Sequence, residues 1–419
     1  MKKKILLHNM TFKGIHVVPG VINYDQRGIV FADKGDIVIT NNTFDRDYLQ
    51  YLSDLGYEID SLLFIHPNSS TLKTWNSIFT SKEVKKALSQ VDREKYFIDV
   101  YIPTELDGRL SRALNFDHCN NWNLSEKYGT KSGFRLFASE AGLPIAKGFS
   151  NVKTVIEVKK CIKKLFKTVD KIVIKVDDGI SGYGNTVISK TEYEDFISDD
   201  AFFEHYLKPI RWDIVGKGVV EAWIEGGNIS SSILLHIEND VYTVVCHQDQ
   251  LLVDGDKWAG CLYPHSMKRN STQLEKLMRY IDRSAKYLIE KGFWGYYSFD
   301  TLETIHDEIY FIEANMRKIG SFYPRVFLEK AMKHFGFSEI KAYIASDYTN
   351  MKKWGGKQFS DLQKKLLEYL WPINGLNQGI LLYNVGALPE GGRFDFVTVS
   401  DSLHDAHELR KKVLNLLDK

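Results

Sequence analysis

Cysteine is scarce and scattered in this chain: Cys119, Cys161, Cys246 and Cys261 include no C-x-x-C pair. That spacing argues against a zinc site or a disulfide framework and reads as small buried thiols. No apolar run approaches the roughly 20 residues of a membrane-spanning helix. The basic start Met1-Lys2-Lys3-Lys4 is followed by only three apolar residues before His8 and Asn9, too few for a signal-peptide core. A cytoplasmic protein without a membrane partner is therefore expected. An excess of one charge is missing too, since 55 Lys plus Arg face 54 Asp plus Glu, so no long-range field favours nucleic acid. A small-molecule substrate fits better. The N-terminal region has no G-x-G-x-x-G turn, which leaves no dinucleotide assigned to it, and no G-K-[ST] marks a Walker loop. Internal repeats and low-complexity segments are absent as well.

What is present is a globular composition, 44% hydrophobic over 419 residues, enough for a sizeable core and two or three structural units. Ile37–Ile39 and Leu62–Ile65 predict strands flanking a helix from Phe44 to Leu55, an α/β unit. A helix is expected from Thr130 to Ala141, stopped by Gly142-Leu143-Pro144. Lys171–Val176 predicts a strand and 177–185 a loop rich in Gly and Ser. Further strands are expected at 219–224, 230–237, 241–246, 296–302 and 309–313, with a long amphipathic helix carrying Leu277, Ile281 and Leu288. Two apolar runs, 379–385 and 394–399, precede a helix opened by Ser402 with Asp405 three residues on.

Three stretches carry chemistry. Lys175 ends a strand before Gly179, Ser181, Gly182 and Gly184. Glycines let backbone N–H groups approach phosphate oxygens, and a lysine adds a compact charge at the loop's base. The same glycines would also suit a plain hairpin. Asp300 is followed by Glu313-Ala314-Asn315-Met316-Arg317, where alternation on a strand projects Glu313, Asn315 and Arg317 to one face. Hard oxygen ligands beside a guanidinium suit a Mg-bound nucleotide meeting an anionic substrate, and a solvated strand face is the other reading. Between them, Glu221-Ala222-Trp223-Ile224-Glu225 leads to Asn228; a strand exit can bind adenine through backbone groups of Ala222 to Ile224, with Glu221 accepting the exocyclic amine. Arg325, soon after the metal strand, is a candidate grip for a substrate carboxylate. His265, Lys257 and Trp258 could line a substrate pocket, a lone loop histidine being more often surface. Trp354 and Trp371 read as core.

A lysine strand with a Gly-rich loop, an E-x-W-[LI] hinge, then Asp and, thirteen positions on, E-x-N resembles the ATP-grasp superfamily over about residues 120–335. The resemblance implies an α/β (α+β ATP-grasp) fold, with a pre-ATP-grasp α/β domain at 1–118, the ATP-grasp domain at 119–355 and a small C-terminal domain at 356–419. It further implies that Lys131 and Lys175 hold ATP phosphates, Glu221 and its neighbours adenine, and Glu225 or Asn228 the ribose. Asp300, Glu313 and Asn315 would hold Mg²⁺, for which Mn²⁺ can substitute, while Arg317 and Arg325 serve the acyl phosphate and substrate. The segments 378–388 and 399–402 are similar to the C-terminal domain of pheganomycin-type peptide ligases, a group resembling a butirosin-pathway ligase that loads glutamate onto an acyl-carrier-protein thiol. The implied activity is ADP-forming ligation of an amino-acid carboxylate to an amine or carrier thiol in antibiotic biosynthesis. A peptide ligase acting on a free amine, a phosphotransferase and a non-catalytic ATP sensor are the competing readings.

Overall fold

The structure, a computed structural model, describes residues 2–8, 20–67, 81–180, 183–194, 198–253, 257–265 and 271–419. Its first sheet is parallel, with five strands in the order Leu63–Ile65, Ile37–Ile39, Lys3–Leu7, Tyr96–Val100 and Asp117–His118. The central strand is an apolar run, Ile5-Leu6-Leu7, buried throughout, as a parallel sheet with helices on both faces requires. The expected helix at 44–55 runs from Arg46 to Asp54, because Asp45 accepts hydrogen bonds from the Asp47 and Tyr48 N–H groups and sets its start.

The second sheet is antiparallel, ordered Gly148–Val152, Gly218–Ala222, Lys171–Ile180, Tyr183–Ser189. Val158, Ile162 and Leu165 of the helix Val155–Leu165 pack with Ile172 and Ile174 of this sheet. Here the open loop expected over 177–185 is instead the end of a hairpin: one strand continues to Ile180 and the next begins at Tyr183. Gly184 makes that return feasible, with φ of 96° and a position where a Cβ would lie 2.6 Å from Val176. Ser181 and Gly182, expected in the loop, lie outside the described residues.

The third sheet holds eight antiparallel strands, from Ile309–Asn315 at one edge through Gly295–Thr304, Gly227–Glu238, Val241–Val253, Lys257–Tyr263, Ala342–Thr349 and Arg393–Ser400 to Gly379–Tyr383. It runs across residue 355, so two C-terminal strands complete a sheet begun near residue 227. The largest core joins Tyr48 and Tyr51 of the N-terminal unit to Phe327, Phe359, Leu382 and Phe396, with Trp354 and Trp371 inside it. Cys119, Cys246 and Cys261 are buried and Cys161 is partly so. Among the described residues no helix is long and apolar enough to cross a membrane.

Candidate active site

Thr130 caps the helix Lys131–Glu140 by accepting from the Gly133 N–H at 3.0 Å, which fixes the helix phase. Lys131 then stands in the first turn and Arg135 one turn later on the same side. Lys131 forms an ion pair with Glu313, and its Nζ donates to the Gly179 carbonyl at 3.3 Å. Arg135 Nη1 donates to Glu221 Oε1 at 2.5 Å, while Lys175 Nζ lies 2.8 Å from Glu221 Oε2. Burial pushes the Glu221 carboxyl up, but Lys175 and Arg135 outweigh it and hold the group below its usual range. Each of the two Glu221 oxygens thus faces a cation. Arg135 was not singled out in the sequence, although its spacing from Lys131 is one helical turn.

Asp300 sits directly opposite Glu313 on neighbouring strands, and Asn315 follows on the same face. Ser232 Oγ donates to Asp300 Oδ1 at 2.8 Å, and Asn315 Nδ2 lies 3.4 Å from Asp300 Oδ2. Burial and the facing Glu313 push Asp300 up to about 6. Burial also raises Glu313, but Lys131 overcomes this and draws it below its usual range. The strand ends at Asn315, and Arg317 is brought back to it by a 2.7 Å bond from Nη2 to Asn315 Oδ1. Arg317 Nη1 donates to the Tyr101 hydroxyl at 3.2 Å and the Lys318 carbonyl at 3.0 Å. Two facing carboxylates with an amide oxygen suit a hard divalent cation that draws its remaining ligands from phosphate and water. Among the described residues no cluster of three or more His, Cys, Asp or Glu offers a complete protein cage.

Lys175, Glu221, Asp300, Glu313, Asn315 and Arg317 all line one cavity of about 830 Å³. At its strand exit the Ala222 N–H donates to Lys147 O at 2.8 Å and the Trp223 N–H to Lys171 O at 3.0 Å. The Ile224 N–H has no partner among the described residues. Residues 144–321 match the family model of the ATP-grasp domain. That segment is similar to the ATP-grasp domain.

Solved structures extend the ATP-grasp fold over nearly the whole chain. Biotin carboxylase from Campylobacter jejuni, solved as a βγ-ATP complex, is 13% identical with a TM-score of 0.64, covering 99% of this chain and 91% of that one. N5-carboxyaminoimidazole synthase from Aspergillus clavatus, solved with ADP and 5-aminoimidazole ribonucleotide, is 14% identical with a TM-score of 0.59, covering 92% and 99%. Among curated proteins, L-propargylglycine–L-glutamate ligase from Streptantibioticus cattleyicolor is 27% identical over 206 residues. That match spans 46% of this chain and 42% of the relative's length.

Other expected residues of the ATP-grasp domain and its flanks fall in different places. Glu225 is exposed at the cavity mouth, and the side chain of Asn228 lies outside the described residues. Arg325 is not among the residues that line this cavity. The helix Phe322–Phe335 turns Tyr323 toward the cavity, and two residues on, about 200° round the axis, Arg325 faces elsewhere. Its Nε donates to Glu329 at 2.6 Å and its guanidinium lies 5.6 Å from the Tyr263 ring centre. His265 is engaged by Asp249 at 2.7 Å, whereas Trp258 does line the cavity. The cavity also reaches Tyr24, Arg27, Tyr101, Asn384, Arg393 and Asp395, none of which was singled out in the sequence as a site residue.

Proposed function

We propose that the protein is an ATP-dependent, ADP-forming ligase that activates an amino-acid carboxylate as an acyl phosphate and passes the acyl group to an amine or a carrier-protein thiol. The observation that carries this reading is the convergence, inside an ATP-grasp domain, of Lys175, the Asp300, Glu313 and Asn315 oxygens and Arg317 on one cavity. Lys131 and Lys175 hold the ATP phosphates together with Gly179, Ser181, Gly182 and Gly184. Adenine is held at the strand exit from Ala222 to Ile224, and the ribose by Glu225 or Asn228. Asp300, Glu313 and Asn315 hold Mg²⁺, or Mn²⁺ in its place, and that ion when bound draws charge from the phosphate oxygens.

A substrate carboxylate oxygen attacks the γ-phosphorus and ADP leaves; an amine or thiol then attacks the acyl carbon and phosphate leaves. Arg317, anchored by Asn315 and Tyr101, stabilises the oxyanion that develops on the acyl group. Glutamate is the preferred acid in this reading, supported by the name of the curated relative and by the likeness to pheganomycin-type ligases. An acyl-carrier protein is a candidate acceptor, with Lys160, Lys163 and Lys164 exposed on the helix Val155–Leu165 as a landing face. Cytoplasmic antibiotic biosynthesis is the setting, and residues 1–118, 119–355 and 356–419 act as its pre-ATP-grasp, ATP-grasp and C-terminal units. Mass spectrometry of mixtures holding ATP, Mg²⁺, one amino acid, and either free amines or a phosphopantetheinylated carrier protein tests it. ADP with an amide or thioester is expected; AMP with pyrophosphate, or no amino-acid-dependent cleavage of ATP, would refute it.

A further inference from the structure

The cavity continues beyond Arg317 into a buried polar pocket built by the two ends of the chain. Arg27, on the 3-10 helix Val21–Phe31, is 6% exposed, and its guanidinium carbon lies 3.8 Å from the Tyr101 ring centre and 4.5 Å from that of Tyr323. Two aromatic rings thus fix the plane of the guanidinium. Among the described residues its Nε and Nη2 have no hydrogen-bond partner. Those two nitrogens form one edge of the guanidinium, the edge that grips a carboxylate through parallel hydrogen bonds.

Unmatched acceptors line the same pocket. Asp395 lies in the strand Arg393–Ser400, directly opposite Asp347 on one side and Tyr383 on the other. Asp347 is already engaged by Arg393 Nη2 at 2.6 Å. Asp395 Oδ2 accepts from Asn384 Nδ2 at 2.7 Å, while Asp395 Oδ1 and Asn384 Oδ1 have no partner among the described residues. Asp395 is 6% exposed and Asn384 1%. A free phosphate would find its Arg27 but be repelled by Asp395, and a metal ion the reverse. A zwitterion satisfies both, since it brings acceptors to the bare donors and donors to the bare acceptors.

We infer that Arg27 and the Asp395–Asn384 pair form the subsite for the head group of an α-amino acid, Arg27 holding the α-carboxylate and Asp395 with Asn384 the α-ammonium. The inference rests on the ligase reading for its ligand class. Tyr101 ties the two regions together: its ring carries Arg27 and its hydroxyl accepts from Arg317, so the head group sits one tyrosine away from the reacting centre. The run Glu313 to Arg317 ends short of this pocket.

Calorimetric titration of the twenty amino acids into protein saturated with Mg²⁺ and a non-hydrolysable ATP analogue tests the assignment. One amino acid, or a few, should bind, and the analogues lacking the α-carboxylate or carrying an N-acetyl group should bind at least tenfold more weakly. Arg27→Met should weaken the amino acid at least tenfold and abolish the preference over the decarboxylated analogue. Arg27→Lys keeps a buried cation on the rings but lacks the forked edge, and should do the same with nucleotide affinity within twofold. Asp395→Asn should abolish the preference over the N-acetyl form. Wild-type protein that binds no amino acid, or does not prefer the free head group, overturns the subsite, as does an unchanged preference in a folded Arg27→Lys protein. An amino acid bound in an Arg27-dependent way that fails to drive ADP formation would instead sink the ligase reading and leave the subsite standing.

Discussion

Lys318 reaches across from the residue after Arg317 to Asp99 of the N-terminal sheet, Nζ to Oδ1 at 2.9 Å, with both side chains no more than 2% exposed. His8 Nε2 donates to the same oxygen at 2.7 Å, and the Tyr323 hydroxyl donates to His8 Nδ1 at 2.8 Å. Burial raises Asp99, but Lys318 and His8 outweigh it and hold the carboxyl well below its usual range. The turn carrying Arg317 is pinned to the N-terminal unit through a buried charge network.

Replacing Asp99 by Asn should accordingly destabilise the protein by about 3–5 kcal/mol, because it leaves the Lys318 ammonium buried without its counter-charge. Asp99→Asn with Lys318→Met should recover most of that loss. Urea denaturation of the two variants checks it; equal stabilities would show that the pair is not coupled.

Burial also pushes His8 down to about 4, below its unfolded value near 6.5. The unfolded chain therefore binds a proton first as pH falls. Stability from the neutral ring is present above 6.5 and should be lost progressively as pH drops toward 4. His8→Gln should flatten that part of a pH-dependent thermal melting profile.

Asp300 behaves in the opposite sense. Its folded value of about 6 lies above the ordinary carboxylate value, so the cation-free protein should lose stability as pH rises through roughly 4 to 6. Mg²⁺ should recover that loss, raising the melting temperature more at pH 7.5 than at pH 5. Glu313→Gln should shrink this Mg²⁺ effect and demand more Mg²⁺ for ATP turnover.

Lys175→Ala should weaken ATP binding at least tenfold while the fold persists, since Glu221 keeps its Arg135 partner. The stability cost should be about 1–3 kcal/mol. Equilibrium binding of a fluorescent nucleotide, beside a thermal melt, checks both halves.

Arg317→Lys keeps charge but removes the fork that joins Asn315 to Tyr101. If Arg317 stabilises a developing oxyanion, kcat should fall by about 10²-fold with the KM for ATP nearly unchanged. A rise in KM alone would assign Arg317 to ground-state binding.

The strands that carry Lys175 and Glu313 were legible because each is a short contiguous apolar run, and alternation puts Glu313 and Asn315 on one face. The helix at Lys131 was legible from a local signal too, the Gly142-Leu143-Pro144 stop. The direction of Arg325 was not legible because it depends on helix phase, and Ser321 makes no side-chain cap bond at the start of that helix. The hairpin at 177–184 resembled a loop because glycine composition does not distinguish the two. Arg27 and Asp395 lie near opposite ends of the chain, and only tertiary packing brings them into one cavity, so no spacing rule could pair them.

The order of strands in the third sheet also governs when this molecule can mature on the ribosome. Ala342–Thr349 pairs along its whole length with Arg393–Ser400, so until the last strands emerge it stands as an edge with a row of unsatisfied peptide groups. The nascent chain can assemble the Lys175 hairpin and the strands of Asp300 and Glu313 early, but the wall that carries Asn384 and Asp395 emerges after both, and the cavity cannot close before it does.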